Sequence, residues 1–494
     1  MSSSKSTRAP GARSGGAPAC PGEGAGRVAF VHLGCPKNLV DGETMMARLA
    51  GDGFRLVTDF AEADLAVVNT CAFIADAQRE SIDRILEAAA WKRRGRLRAL
   101  LVAGCLAERH GAELLKEMPE VDGLLGPGRT DRIAVLSRAL LAGRGPRVLL
   151  GGFDRARPLR QGTRLRTGFP HVAYVKIAEG CDHRCRFCLI PRLRGPQRSR
   201  APEEILRELA LLADEGVREA VLVAQDTTAY GRDLHPRTDF ARLLARIEES
   251  PGPSWVRALY THPNRWNDDL VRAYTRGERL LPYVDLPVQH ASDRVLLAMG
   301  RGACGTRIRR LIERLRERVP GVVLRATILT GHPGEGEAEF EELLKFMRQF
   351  PFDRLGAFAY SPEPETGSAG MAERPPRRVA LLRRARVLAL QKEIALGLQR
   401  ARIGRVCDVL VDGVHADGKR FLARSYGEAP DIDGVIRARI PARRPEEAAE
   451  PGQFRRVRIV AAGPYDLQAV AVGESEGWRS GPGPEPCRAW KEES

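Results

Sequence analysis

AEGCDHRCRFCLIPRLRG, residues 178–195, is the stretch around which the 494-residue chain is organised. It carries Cys181, Cys185 and Cys188 in the spacing C-x3-C-x2-C. Three thiols within eight residues cannot all pair as disulfides, but a loop can close them around one metal centre. Iron–sulfur clusters are ordinarily held by four cysteine thiolates. A three-cysteine loop therefore leaves one iron without a protein ligand, and an open coordination position is where a substrate or cosubstrate binds. The alternative is a zinc knuckle short of its fourth ligand. His183 is the candidate for that ligand, but it stands two residues from Cys181, an awkward bite.

Working outward, residues 169–401 repeat a strand–helix unit. Strands are expected near 172–178, 219–224, 255–260, 283–288, 322–329 and 354–360. Helices are expected at 203–215, 239–249, 306–319, 335–349 and 377–401. Six units fall short of the eight of a complete TIM barrel, so the expectation is a partial (β/α)6 TIM-like barrel with its site at the C-terminal strand ends. The three-cysteine loop directly follows the first of these strands. Polar residues mark other strand ends: Gln225 and Asp226 after the second, Gln289, His290 and Ser292 after the fourth, and HPGE, 332–335, after the fifth. Gly334 in that run lets the backbone approach a ligand closely. For Ser292 the plainer reading is helix capping, and for Gln225 and Asp226 a polar strand cap.

Residues 27–142 show the same alternation. RVAFVHLGC ends in Cys35, DLAVVNTC in Cys71 and RALLVAGC in Cys105, with helices expected at 41–51, 74–92 and 107–117. This is the pattern of a parallel sheet with crossover helices. Right-handed crossovers put the strand ends on one edge, where ligands bind. Three cysteines about 35 residues apart in sequence then converge on a second site that is again one ligand short of four. A lone buried cysteine reads better as a small hydrophobe; three at equivalent positions do not. Lys37 and Asn38 beside Cys35 read either as tuning groups or as a solvated loop.

Residues 402–472 alternate short apolar runs with turns, as expected of a small antiparallel all-β barrel. Residues 143–168 read as a Gly/Arg/Pro-rich linker, and 1–26 and 473–494 as disordered tails. Cys20, Cys304, Cys407 and Cys487 have no partner spacing. The fold class is thus α/β multidomain. No apolar run reaches the length of a membrane-spanning helix, and the N-terminus lacks the apolar region of a signal peptide. Cysteine-rich and without an export signal, the chain is expected in the cytoplasm, its thiols reduced for metal ligation. A net charge of +16 points either to an anionic neighbour such as a ribonucleoprotein or to a merely basic surface.

HLGCPKNLVDGE (32–43), NTCAFI (69–74) and AGCLAER (103–109) resemble the N-terminal domain of the radical S-adenosylmethionine (SAM) methylthiotransferases. KIAEGCDHRCRFCLIPRLRG (176–195) resembles their radical SAM loop, and the C-terminal barrel their TRAM domain. AQDTTAYG (224–231), DLPVQHASDRVL (285–296), GAFAYSPE (356–363) and PDIDGVI (430–436) resemble the branch that modifies a ribosomal protein. The branch that modifies a hypermodified adenosine of transfer RNA is the alternative. A non-catalytic iron–sulfur or RNA-binding factor is a third reading.

The resemblance implies SAM and two 4Fe–4S clusters. The cluster on Cys181, Cys185 and Cys188 binds and splits SAM, and the resulting radical takes a hydrogen from the β-carbon of an aspartate in the twelfth protein of the small ribosomal subunit. The cluster on Cys35, Cys71 and Cys105 supplies sulfur, and a second SAM methylates it. Phe187 is the aromatic residue that precedes the last cysteine in such loops. Gln225 and Asp226 fall where the methionyl amine of SAM is gripped; Gln289, His290 and Ser292 fall near its ribose, and Gly334 in its pocket. A low-potential electron donor such as flavodoxin or ferredoxin and a sulfur donor are implied as partners. Glu363 falls in the substrate channel. An acidic run, Glu428, Asp431 and Asp433, suits a basic ribosomal protein, whereas Arg455, Arg456 and Arg458 suit ribosomal RNA. The chain departs from the family at Gly42, where Ser is usual, at His332, where Phe is usual, and over Glu363–Gly367.

Overall fold

The computed structural model describes residues 25–145, 147–154, 159, 161–302, 304–441 and 448–474. Residues 1–24 and 475–494, with Cys20 and Cys487, lie outside the described residues, and so do most of the expected tails.

The N-terminal unit is a six-stranded parallel sheet. Its strands are β1 (Arg27–His32), β2 (Arg55–Val57), β3 (Leu65–Thr70), β4 (Ala99–Gly104), β5 (Gly123–Leu125) and β6 (Arg147–Leu149), in the order β2-β1-β3-β4-β5-β6. Helices α1 (Pro36–Gly51), α2 (Ala75–Arg93), α3 (Cys105–Glu117) and α4 (Ile133–Leu141) connect them. Every residue of β3 and β4 is buried, because helices cover both faces. Ala66, Val68, Leu100 and Val102 pack against Ile85 and Ala89 of α2. Leu65, Val67 and Leu101 pack against Leu49 of α1 and Leu136 of α4. This two-sided burial explains the near-continuous apolar runs.

Two expectations are corrected here. Helices α1 and α3 begin at the cysteines, at Pro36 and Cys105, not several residues later. The stretch expected to be a linker, 143–168, contains β6, which pairs with β5, and its Arg164 and Thr167 are fastened to Glu43 of α1 at 3.1 and 2.8 Å.

The central unit is an open, six-stranded parallel sheet: β7 (Val172–Lys176), β10 (Glu219–Val223), β11 (Trp255–Ala258), β12 (Leu280–Gln289), β13 (Val323–Thr330) and β14 (Arg354–Ala359). A short antiparallel pair, β8 (Ala178–Glu179) and β9 (Arg198–Ser199), forms the neck of the cysteine loop. Its helices are α5 (Ile190–Arg194), α6 (Pro202–Asp214), α7 (Phe240–Glu249), α8 (Asp268–Arg276), α9 (Asp293–Ala298), α10 (Gly305–Arg318), α11 (Glu337–Gln349) and α12 (Arg377–Arg400). One sheet face packs on these helices through Ala220, Leu222, Leu243 and Ile247. The other face is filled by neighbours. Tyr174, Val221, Val223 and Tyr283 meet Val40 of α1 together with Leu410, Ala429 and Phe454 of the C-terminal unit.

That last unit is a closed five-stranded barrel of β15 (Val406–Val414), β16 (Arg420–Arg424), β17 (Ile436–Arg439), β18 (Phe454–Ala462) and β19 (Leu467–Glu474). It is antiparallel except for the parallel pair β17–β19, which closes it. Buried ion pairs fix it to the central sheet: Arg424 to Glu219 at 2.5 Å, and Glu428 to Arg354 at 2.7 Å. No helix is long and apolar enough to cross a membrane among the described residues.

Candidate active site

The strand order places the first cysteine trio. Cys35, Cys71 and Cys105 follow β1, β3 and β4, which are three adjacent strands because β2 is displaced to the sheet edge. Neighbouring strands lie about 4.8 Å apart, so the trio spans about 10 Å of one edge. Two of the cysteines are turned inward by glycines that no other residue can replace without strain. Gly34 (φ +95°) lies against Cys71, and Gly104 (φ +92°) has Thr70 O where a Cβ would stand. Cys35 then stands at the N-cap of α1 and Cys105 opens α3, so both lie at helix N-termini. Cys71 is fixed by Ser81, whose hydroxyl accepts from Cys71 N–H at 3.1 Å and donates to Cys71 O at 3.0 Å. Burial pushes the thiols of Cys71 and Cys105 up, Cys105 to about 12 against the pull of Arg194.

The second trio hangs from the end of β7 at the C-terminal edge of the central sheet. Its loop is fastened at several points: Cys181 N–H to Gly195 O at 3.1 Å, Arg186 N–H to Met299 O at 2.9 Å and Gln197 N–H to Asp182 at 3.1 Å. Burial raises Cys181 to about 11 and Cys188 to about 12. A guanidinium nitrogen of Arg301 lies 3.8 Å from Cys185 Sγ. Among the described residues no three His, Cys, Asp or Glu side chains are gathered as a single ion needs. His183, the fourth ligand of the zinc-knuckle alternative, is engaged elsewhere: its Nε2 is 2.6 Å from Asp226, and its ring stacks on His262 at 4.0 Å.

The residues present fit iron–sulfur clusters. Each trio supplies free thiols with an arginine nitrogen near one sulfur, and thiols are deprotonated when a metal binds them. A three-thiolate 4Fe–4S centre is anionic, and the arginine offsets that charge.

A buried polar network joins the first trio, at Cys105, to the neck of the loop that carries the second. Arg194, at the end of α5, directs Nε to Cys105 Sγ at 3.3 Å and its other nitrogens to Asn38 at 3.1 Å, Asp41 and Glu179 at 3.3 Å. Lys176 of β7 donates to Asp41 and to Glu179 at 2.7 Å. Burial would raise Glu179, but Lys176 and Arg194 outweigh it and hold it at about 2. Burial would lower Lys37, yet Tyr260 and Cys35 raise it, and its ammonium sits 3.3 Å over the Tyr260 ring. Sequence reasoning missed Arg194, Lys176, Glu179 and Arg301. A usable signal was there: Lys176 is a charge inside an apolar strand, and such residues are rarely buried unpaired.

The expected SAM contacts all fall on the C-terminal edge of the central sheet. Gln225 donates to Glu179 at 2.5 Å, while Asp226 is bound by His183 and by Arg265 at 3.1 Å. Gln289 adopts φ +69°, at a register irregularity between β12 and β13. His290 Nδ1 accepts from Ser292 N–H at 3.0 Å, which leaves Nε2 facing Glu335 at 3.5 Å. Ser292 occupies the N-cap of α9, but its side chain makes no capping bond. Phe187 meets the edge of His332 at 6.2 Å between centroids. His332, lowered to about 4 by burial, also bonds Ser368 at 2.8 Å. Gly334 has φ +89°.

The expected substrate contacts are largely committed to joints within the molecule. Glu363 binds Arg109 of α3 at 2.6 Å. Glu428 is buried between Arg354 and Arg402, and Asp433 accepts from Tyr283 Oη at 2.6 Å. The acidic run is thus mostly a docking joint for the barrel, and the sequence cannot distinguish an exposed acid from one facing an arginine far along the chain. Asp431 is exposed. Of the three arginines, Arg455 is buried while Arg456 and Arg458 are exposed. At Gly42 a side chain would press on Asn69, His32 and Phe30 at 3.2–3.3 Å.

Three family models match the chain: "Uncharacterized protein family UPF0004" over 27–126, the radical SAM superfamily over 175–347 and the TRAM domain over 403–472. A ribosomal protein uS12 methylthiotransferase RimO of Desulforudis audaxviator is 46% identical over 90% of this chain and 97% of its own length. The RimO of Symbiobacterium thermophilum is 43% identical over 96% and 95%. Among solved structures, the radical SAM methyltransferase TsrM of Kitasatospora setae has a similar fold, with a TM-score of 0.54 at 17% identity over 69% of this chain and 75% of that one. With two cysteine trios, an open parallel barrel and a TRAM barrel in one chain, the protein belongs to the RimO family of radical SAM methylthiotransferases, enzymes of the transferase class whose cofactors are SAM and 4Fe–4S clusters.

Proposed function

We propose that this enzyme places a methylthio group on the β-carbon of an aspartate in the twelfth small-subunit ribosomal protein, uS12, using two clusters and two molecules of SAM. The observation that carries this reading is the pair of open cysteine trios joined through one buried arginine, Arg194, which reaches the sulfur of Cys105 from the loop of Cys181, Cys185 and Cys188. The uS12 specificity of the relatives' names supports the choice of substrate. The working division is a methylthiotransferase domain over 27–142, a radical SAM domain over 169–401 and a TRAM domain over 402–472.

When bound, the clusters and SAM supply the one-electron chemistry and the sulfur needed to replace an unactivated C–H bond, which no side chain can deprotonate at neutral pH. The chain's own residues hold, orient and exclude. The six cysteines anchor the clusters, and Arg194 and Arg301 offset their charge. Phe187, Gln225, Asp226, Gln289, His290, Ser292 and Gly334 form the strand-end edge on which SAM rests. The buried network of Lys176, Asp41, Glu179 and Arg194 holds the loop of the second trio against the N-terminal unit, so that proximity does its part. Asp431 offers an exposed carboxylate to a basic ribosomal protein, and Arg456 and Arg458 offer charge to ribosomal RNA. The reaction takes place in the cytoplasm and draws on a low-potential electron donor, such as flavodoxin or ferredoxin, and on a sulfur donor.

The test is anaerobic incubation of the protein, loaded with iron and sulfide, with uS12, SAM, a reductant and added sulfide. Formation of 5′-deoxyadenosine and S-adenosylhomocysteine, with a methylthio group mapped to an aspartate, is the expected result. Unmodified uS12 alongside rapid SAM cleavage contradicts it.

A further inference from the structure

Arg194 belongs by sequence to the loop of one cysteine trio and by contact to the other trio. It lies six residues after Cys188, and α5 spans Ile190–Arg194. The Arg194 Nε is 3.3 Å from Sγ of Cys105, a residue of the other trio. The side chain is 2% exposed. Its remaining nitrogens are fixed by Asn38, Asp41 and Glu179, and Asp41 and Glu179 are in turn fixed by Lys176. A guanidinium keeps its charge in any protein. Held in this way, it has one nitrogen left for the sulfur and no freedom to turn away.

We infer that Arg194 is a positioning residue for the auxiliary cluster: it orients the Cys105 sulfur and raises the reduction potential of the centre bound by Cys35, Cys71 and Cys105. Hydrogen bonds to a ligating sulfur are one of the means by which a protein sets such potentials. The reduced centre carries one more negative charge than the oxidised one, so a fixed cation at a ligand favours it. Because Arg194 belongs to the radical SAM loop, the electronics of one cluster site depend on the folding of the other. This inference rests on the two-cluster reading given above.

The test uses the full chain in two backgrounds. Cys181→Ala/Cys185→Ala/Cys188→Ala leaves only the auxiliary site, and Cys35→Ala/Cys71→Ala/Cys105→Ala leaves only the radical SAM site. Each is loaded with iron and sulfide and titrated with dithionite under EPR detection, with and without Arg194→Gln. The expected result in the first background is about a tenfold fall in the reduced-to-oxidised ratio at a fixed potential, which for one electron is about 59 mV; the second background is unchanged. Loss of iron confined to the first background supports the positioning role equally. Arg194→Lys keeps a charge but loses the planar fork, so it serves if Arg194→Gln does not fold, and its shift has the same sign. An unchanged auxiliary potential with full iron overturns the inference, as does an equal shift or an equal loss of iron in both backgrounds. An auxiliary-only parent that takes up no iron refutes the two-cluster reading itself, and this inference with it.

Discussion

His183 Nε2 and Asp226 Oδ2 meet at 2.6 Å and tie the loop of three cysteines to the end of β10. Arg265 adds a second contact to the same oxygen at 3.1 Å. Burial would raise Asp226, but the bond from His183 and the field of His262 outweigh it and hold the group at about 2. Asp226 is thus a fixed anion that orients the loop. Asp226→Asn weakens the tie through which His183 and Arg265 hold the three-cysteine loop to β10, and groups that orient a ligand-bearing segment typically affect metal affinity by about 10–100-fold. The variant should release iron from the radical SAM site to a chelator about 10–100-fold more readily, measured with the auxiliary cysteines replaced. Unchanged release would show that the pair does not act on the loop.

Gly104 precedes Cys105 with φ +92°, and Thr70 O stands 2.5 Å from where its Cβ would lie. Gly104→Ala must move either backbone, and Cys105 moves with it. The expected outcome is loss of the auxiliary iron, with the radical SAM iron retained and SAM cleavage persisting without sulfur insertion. Iron analysis and EPR of the variant check this. A full complement of iron would contradict it.

Much of this layout was legible in the chain. Cysteines closing three apolar runs announced one sheet edge, because buried parallel strands leave a near-continuous apolar signature. The C-x3-C-x2-C loop follows the first strand of the central unit, as its place in the sequence indicated. What stayed hidden depends on residues distant in sequence. Glu363 reads as a free acid until Arg109 appears beside it from 254 residues away. Glu428 and Asp433 read as an acidic surface, yet Arg354, Arg402 and Tyr283 consume them. Arg194 reads as one more basic loop residue, although its position in α5 places it on Cys105. The short strand β6 was obscured by the Gly, Arg and Pro around it.

Glu428 joins the TRAM barrel to the central sheet through Arg354 and Arg402, each at 2.7 Å. Burial opposes its charge, but Arg402 and Arg354 hold its carboxyl at about 2, below an ordinary 4.5. A depressed carboxylate contributes stability in full above its unfolded value, and that stability is lost as the pH falls through the folded one. Glu428→Gln should therefore cost on the order of 3 kcal/mol near neutrality. The gap to the parent should narrow between about pH 4.5 and pH 2, as urea unfolding across that range would reveal. A gap independent of pH would mean that packing, not charge, supplies the stability.

Arg109 of α3 lies between Glu363 and Glu365, at 2.6 and 2.7 Å, with its side chain 4% exposed. Arg109→Ala leaves two carboxylates facing one another at the contact between the N-terminal unit and the central sheet. Removing one partner of a buried pair typically costs about 3–5 kcal/mol. Limited proteolysis should cut the variant near 361–373 faster than the parent, while Glu363→Gln, which keeps one carboxylate for Arg109, should lie between them. Equal cleavage rates would exclude a joint at this position.

Modification of uS12 would show in the intact mass of that protein. That mass would be measured from a host lacking this gene, the same host carrying it, and the host carrying Cys181→Ala. The expected result is a mass gain of methylthio size with the intact gene alone. An unchanged mass in cells where the enzyme is abundant and iron-loaded would contradict it and direct the search to transfer-RNA nucleosides.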